Sequence, residues 1–75
     1  MIIVTNSNIL GCNICFLRES FGMKRQELAE QIGWDALLLE ELEEDIVREI
    51  DSQILTRICN LFHRDMDDML TNRYK

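Results

Sequence analysis

The sequence predicts an all-α fold: a compact five-helix domain with two short helices joined by a tight turn at its centre and a short apolar N-terminal arm. Three observations carry this prediction. Apolar residues recur at spacings of three and four along most of the chain, the period of a one-sided helix. Gly22 and Gly33 fall where such stripes stop, and no proline occurs anywhere. The β-branched clusters are confined to the N-terminus. With 75 residues the chain has enough length for one domain and one modest core.

Each element has its own signal. Met1 to Thr5 are rich in Ile and Val and suit a short strand or an apolar arm. Asn6, Ser7 and Asn8 are turn and cap residues, and Ser7 or Asn8 is expected to start the first helix. Leu10, Ile14, Leu17 and Phe21 form its inner stripe before Gly22 ends it. A second helix is expected from about Arg25 to Ile32, with Leu28, Ala29 and Ile32 inside. Lys24 stands where a capping Ser or Thr is usual, so this N-terminus reads as poorly capped. Gly33 ends the helix. Asp35 caps a third helix running to about Glu44, with Leu38, Leu39 and Leu42 inside. Asp51 or Ser52 caps a fourth, with Ile54, Leu55, Ile58, Leu61 and Phe62 inside, and Asp65 caps a fifth, with Met66, Met69 and Leu70 inside. The organisation expected is an arm over residues 1–7, a helical domain over 8–71 and a frayed polar tail over 72–75.

Charge is unevenly spread. The formal net charge is −6, and residues 35–51 alone hold eight acidic side chains against one basic, Arg48. That is the wrong sign for a nucleic-acid binder, whose affinity comes largely from cations that neutralise phosphates. An enzyme is not expected. The single histidine, His63, has no nucleophile or orienting carboxylate at a recognisable spacing, and the glycines form no nucleotide fingerprint. The apolar run Leu37 to Leu39 is far too short to cross a bilayer, so no membrane is expected as a partner. Met1 to Val4 lack a positive flank and are too brief for a signal peptide, so a cytoplasmic location is expected. Cys12 and Cys15, with Cys59 and His63, have spacings that can hold zinc, but both pairs lie inside helical segments rather than knuckle turns. Cys59 then reads as a small core residue and His63 as a helix-end cap, so no metal or cofactor is expected.

The most specific signal lies between Arg25 and Leu42. Ala29 is small enough for the next helix to cross closely, Gly33 permits the tight turn, and Leu39 and Leu42 pin the second helix to the core. In these residues the chain resembles the lambda-repressor and Cro-like helix-turn-helix domains, the Xre family, over about residues 8–70. The stretches Ile14-Cys-Phe-Leu-Arg-Glu19 and Gly22-Met-Lys-Arg-Gln-Glu-Leu-Ala-Glu-Gln-Ile-Gly33 carry the resemblance. Leu42-Glu-Glu-Asp45 is similar to the family's hydrophobic-Glu-Asn-Gly segment, and Ile58-Cys-Asn-Leu-Phe62 and Met66-Asp-Asp-Met-Leu70 to its fourth and fifth helices. The resemblance implies a transcriptional regulator that binds operator DNA as a dimer through its second and third helices. By position it implies phosphate contacts at Lys24, Arg25 and Arg48, and a recognition-helix face at Ala36, Leu37, Leu38, Glu40, Glu41 and Glu44.

Two departures bear on that implication. With Leu39 and Leu42 inward, Leu37, Glu40, Glu41 and Glu44 point away from the core. One carboxylate in a groove can accept from cytosine N4, but three together repel phosphate, so DNA is electrostatically disfavoured. Glu44 and Asp45 replace the family's Asn and Gly. The alternative is a helix-turn-helix fold that has lost DNA binding and acts as a protein-interaction module through its acidic third helix. A third option is a solvated face with no partner. Phe16 points away from the first helix's stripe. With Ile2, Ile3 and Val4 it makes a candidate patch for a homodimer or a protein partner, unless the arm folds back over it within one chain.

Overall fold

The structure is a computed structural model that describes residues 1–5 and 8–74. The turn expected at Asn6 and Ser7, the helix start at Ser7 and the last tail residue, Lys75, lie outside them. In chain order the elements are β1 (Ile2–Val4), α1 (Ile9–Ser20), α2 (Arg25–Ile32), α3 (Ala36–Glu43), β2 (Glu49–Asp51), α4 (Ser52–Phe62) and α5 (Met66–Thr71). The five expected helices are therefore present. The all-α description is corrected by the two-stranded sheet, in which β1 runs antiparallel to β2 with Ile3 opposite Ile50. Alternation explains it. Ile50 is buried between the more exposed Glu49 and Asp51, and Ile3 packs on the core between outward Ile2 and Val4. The arm is thus paired with β2. Phe16, expected either to share a patch with the arm or to lie beneath it, has its ring 6.4 Å from that of Tyr74.

Local chemistry sets the helix ends. Glu27 reaches back to accept from the Lys24 backbone N–H at 2.8 Å. This is one half of a reciprocal cap, and it relieves the poor N-terminus read at Lys24. Gly33 adopts the left-handed conformation, φ 67°, and the Trp34 N–H returns to the Ala29 carbonyl at 2.9 Å. That closure turns the chain sharply into α3, whose cap is the Asp35 carboxylate on the Leu37 N–H. Asp51 caps α4 in the same way through the Gln53 N–H.

Leu10, Ile14 and Leu17 of α1 are buried against Leu28, Leu39, Leu55, Ile58 and Met69 from the other helices. Phe21, expected on the same stripe, instead caps α1 and is exposed on one side, its ring set edge-on to Phe62 at 4.9 Å. Three buried positions of α1 are not apolar: Gly11, Asn13 and Arg18, the last paired with α3 as described below. Gly11 lies so close to α3 that a Cβ there would stand 2.2 Å from the Leu42 carbonyl oxygen. Asn13 is fully buried and binds the C-terminal segment. Its amide donates to the Met69 and Asn72 carbonyls at 2.8 and 2.6 Å, and its carbonyl accepts from the Tyr74 N–H at 2.8 Å. Residues 72–74, expected as part of a frayed tail, are therefore fastened to α1. The Tyr74 hydroxyl donates to Asp68, and the Arg64 guanidinium lies 4.9 Å from the centre of its ring.

Gly11→Ala gains helix propensity of roughly 1 kcal/mol but collides with backbone, so the net effect is destabilising by about 1–3 kcal/mol in a denaturant melt. Tyr74 is the one tyrosine in the sequence. Burial first, and the Asp68 hydrogen bond second, push its pKa up to about 12. An ultraviolet titration should therefore place its ionisation near 12 instead of the ordinary value near 10. Because the folded value is raised, the stabilisation is complete below the unfolded value and disappears as pH climbs from about 10 to about 12.

Candidate nucleic-acid interface

The turn at Gly33 sets α3 against α1 and α2, so the start of α2 and the outer side of α3 share one surface. Leu39 and Leu42 are buried and fix the rotation of α3. At about 100° per residue, Leu38 and Glu43 then lie roughly 70° to either side of the core direction. Both begin half-way in, and the neighbours decide between them. Glu43 faces Arg18 of α1 and its side chain is only 1% exposed. Leu38, expected inside, falls on the open side and is 41% exposed.

Glu43 is held from two directions. The Arg18 Nε donates to Glu43 Oε2 at 3.0 Å and its Nη2 to Oε1 at 3.1 Å. The Arg18 Nη1 also donates to the Met23 carbonyl at 2.9 Å, which joins the end of α1 to the turn before α2. The Arg25 Nε and Nη2 reach the same Glu43 oxygen at 3.2 and 3.0 Å, and its Nη1 reaches Glu40 at 3.2 Å. The Glu43 carboxylate raises the Arg18 pKa above its ordinary value. Two guanidinium groups and a carboxylate with little access to water therefore clamp α1, α2 and α3 together.

Lys24 is exposed at the start of α2. Arg25 is half-buried and committed to Glu40 and Glu43. Arg48 makes a two-pronged contact with Asp45, both bonds 2.7 Å, and this holds the Asp45 carboxyl below its usual range. Asp45 itself sits at φ 63°, the left-handed conformation that a glycine adopts more readily. On α3, Ala36, Glu40 and Glu41 are half-buried, whereas Leu37, Leu38 and Glu44 are exposed. Leu37 is 60% exposed. Ile46 is 66% exposed, and its N–H binds the Glu41 carbonyl, which brings it back over the end of α3. The surface is thus leucine and isoleucine interleaved with carboxylates.

Three of these residues were not singled out in the sequence: Arg18, Glu43 and Ile46. Arg18 had a signal. It lies four residues after Ile14, so it belongs to the inner stripe and must find a buried carboxylate. Ile46 had none beyond being apolar beside Asp45. The cysteines do not converge. Cys12 and Cys15 are half-buried on α1, Cys59 is in the core of α4, and His63 is its left-handed cap. Among the described residues no three His, Cys, Asp or Glu side chains come together as a metal-holding group.

Glu43→Ala leaves Arg18 buried and unpaired, so it should cost about 3–5 kcal/mol in urea unfolding. Arg25→Ala removes a partner that is still partly in water and should cost only about 1 kcal/mol or less.

No family model matches the chain, and no curated protein matches it. A solved structure does: the N-terminal DNA binding domain of SinR from Bacillus subtilis, at a TM-score of 0.83 and 20% identity, over 92% of this chain and 100% of that one. At this identity the likeness speaks to fold. The resemblance read from residues 8–70 therefore stands at that level, and the chain has the helix-turn-helix fold of that DNA-binding domain.

Proposed function

We propose that the chain is a helix-turn-helix transcriptional regulator of the lambda-repressor/Cro-like type, binding DNA as a dimer through α2 and α3. One observation carries this reading: the likeness to a domain described as DNA binding extends over 92% of the chain. In this arrangement α3 enters the major groove and the start of α2 meets phosphate. Lys24 makes that contact directly. Arg25 and Arg48 reach phosphate by exchanging Glu40, Glu43 and Asp45 for it. Glu40 and Glu41 are then acceptors for cytosine N4. Its place of action is the cytoplasm. Among the described residues no helix is long and apolar enough to cross a membrane. No catalytic role is proposed.

A second reading is favoured by a specific observation. Arg25 and Arg48 pair with carboxylates of the same chain, while Leu37, Leu38 and Ile46 lie open beside Glu40, Glu41 and Glu44. Such a face suits a basic protein surface better than a phosphate backbone.

Fluorescence anisotropy with a random duplex at low salt separates the two. Under the first reading the chain binds at tens of micromolar or tighter, the range of non-specific binders, and loses affinity steeply as salt rises. Binding tightens when Glu40, Glu41 and Glu44 are all changed to Gln, and weakens in Lys24→Ala. No binding by either the unaltered chain or the triple variant removes the DNA reading.

A further inference from the structure

β1 has one used edge and one open edge. Along an antiparallel pair, residues alternate between those that exchange hydrogen bonds with the partner strand and those whose N–H and C=O point the other way. The alternation here is set by its two ends. The Thr5 N–H donates to the Arg48 carbonyl at 2.9 Å, and the Ser52 N–H donates to the Met1 carbonyl at 2.7 Å. Met1, Ile3 and Thr5 therefore face β2, and the peptide groups of Ile2 and Val4 face outward. The sheet has two strands, so no further strand covers that edge among the described residues. Ile2 and Val4 also turn their side chains to solvent, at 55% and 65% exposure.

We propose that this edge pairs with the same edge of a second copy, giving a four-stranded antiparallel sheet across a two-fold axis through Ile3. The proposal rests on the dimer part of the reading above and names its surface. The occupant is a second copy because the edge is self-complementary. A two-fold axis at Ile3 sets Ile2 opposite Val4 of the partner and Val4 opposite Ile2 of the partner. All four outward-facing residues are then in the bonding positions, and each supplies one donor and one acceptor. The same register brings two isoleucines and two valines together on one face of the sheet, the kind of cross-strand cluster that stabilises sheets. Nothing blunts the edge: β1 carries no proline, no lysine and no bulge. The acidic pair Glu49 and Asp51 lies one strand further out on each copy. Two chains of charge −6 also repel at long range, so association strengthens with salt. This is the opposite sign to DNA binding. Strands of three residues make a small interface, so the dimer is weak, with half-association at roughly 10–1,000 µM.

The test uses the whole chain without nucleic acid, so its outcome is independent of the DNA reading. Sedimentation equilibrium at 0.5 M NaCl should show the average mass rising from 8.9 kDa toward twice that value as concentration passes through the stated range. Hydrogen exchange on the unaltered chain is the second readout. The Ile2 and Val4 amides should exchange freely when dilute and slow severalfold when concentrated, while the Ile3 amide is protected throughout. Val4→Pro removes an outward donor and leaves the β1–β2 bonds intact, so it should keep the thermal midpoint and abolish association. A chain that stays monomeric at 1 mM in 0.5 M NaCl overturns the proposal. So does a dimer whose Ile2 and Val4 amides exchange at the dilute rate.

Discussion

The carboxylate of Glu43 locks the orientation of α3 that buried Leu39 and Leu42 set. An acidic side chain with this little access to water is unfavourable unless cations and hydrogen bonds meet it on several sides. Arg18 and Arg25 do so from different helices, which leaves α3 little freedom to rotate or slide. The close approach of Gly11 to Leu42 works in the same place. Without a Cβ at residue 11, α1 comes near enough for Arg18, two turns further on, to reach the end of α3. A directional ionic contact and a steric permission thus fix one helix in one pose.

That arrangement bears directly on what the surface can bind. Arg25 at the start of α2 is part of the clamp, and Arg48 after α3 is bound by Asp45. A phosphate arriving at either must compete with a carboxylate already held by hydrogen bonds. The competition is unequal at the two places. Asp45 and Arg48 are exposed and exchange partners readily in water, whereas Arg25 shares a carboxylate with buried Arg18. The carboxylates on and just after α3 therefore differ in their engagement. On this surface Glu43 and Asp45 are paired with arginines of the same chain, Glu40 shares Arg25, and Glu41 and Glu44 are left to define the outer potential.

Much of this was legible in the sequence because it is local. Gly33, Asp35 and Asp51 declare helix boundaries through backbone conformation and capping, and their effects reach only a few residues. The stripe Leu10, Ile14 and Leu17 likewise names its own inner face. What was missed needed a partner distant in sequence. β2 became a strand because β1 was there to pair with it. Leu38 lost to Glu43 because of Arg18, which is 20 residues away from Leu38 by their numbers. Asn13 and Arg18 do lie on the α1 stripe, and polar residues on an inner face are the signal to follow. The tail reads as frayed because its residues are polar. Its anchor, Asn13, is 61 positions away from Tyr74.

The seat of Tyr74 on Asn13 also orders events in time. The helix-turn-helix is built from near neighbours, and such contacts form quickly because little chain entropy is lost in closing them. The contacts that join Asn13 to Tyr74 and Met1 to Ser52 each close a long stretch of chain. The two ends therefore dock onto a centre that is already assembled. During that interval the open strand and the underside of α1 are in water together. Docking of the two ends is thus the step that covers both surfaces, and the Tyr74 contact with Asn13 closes it.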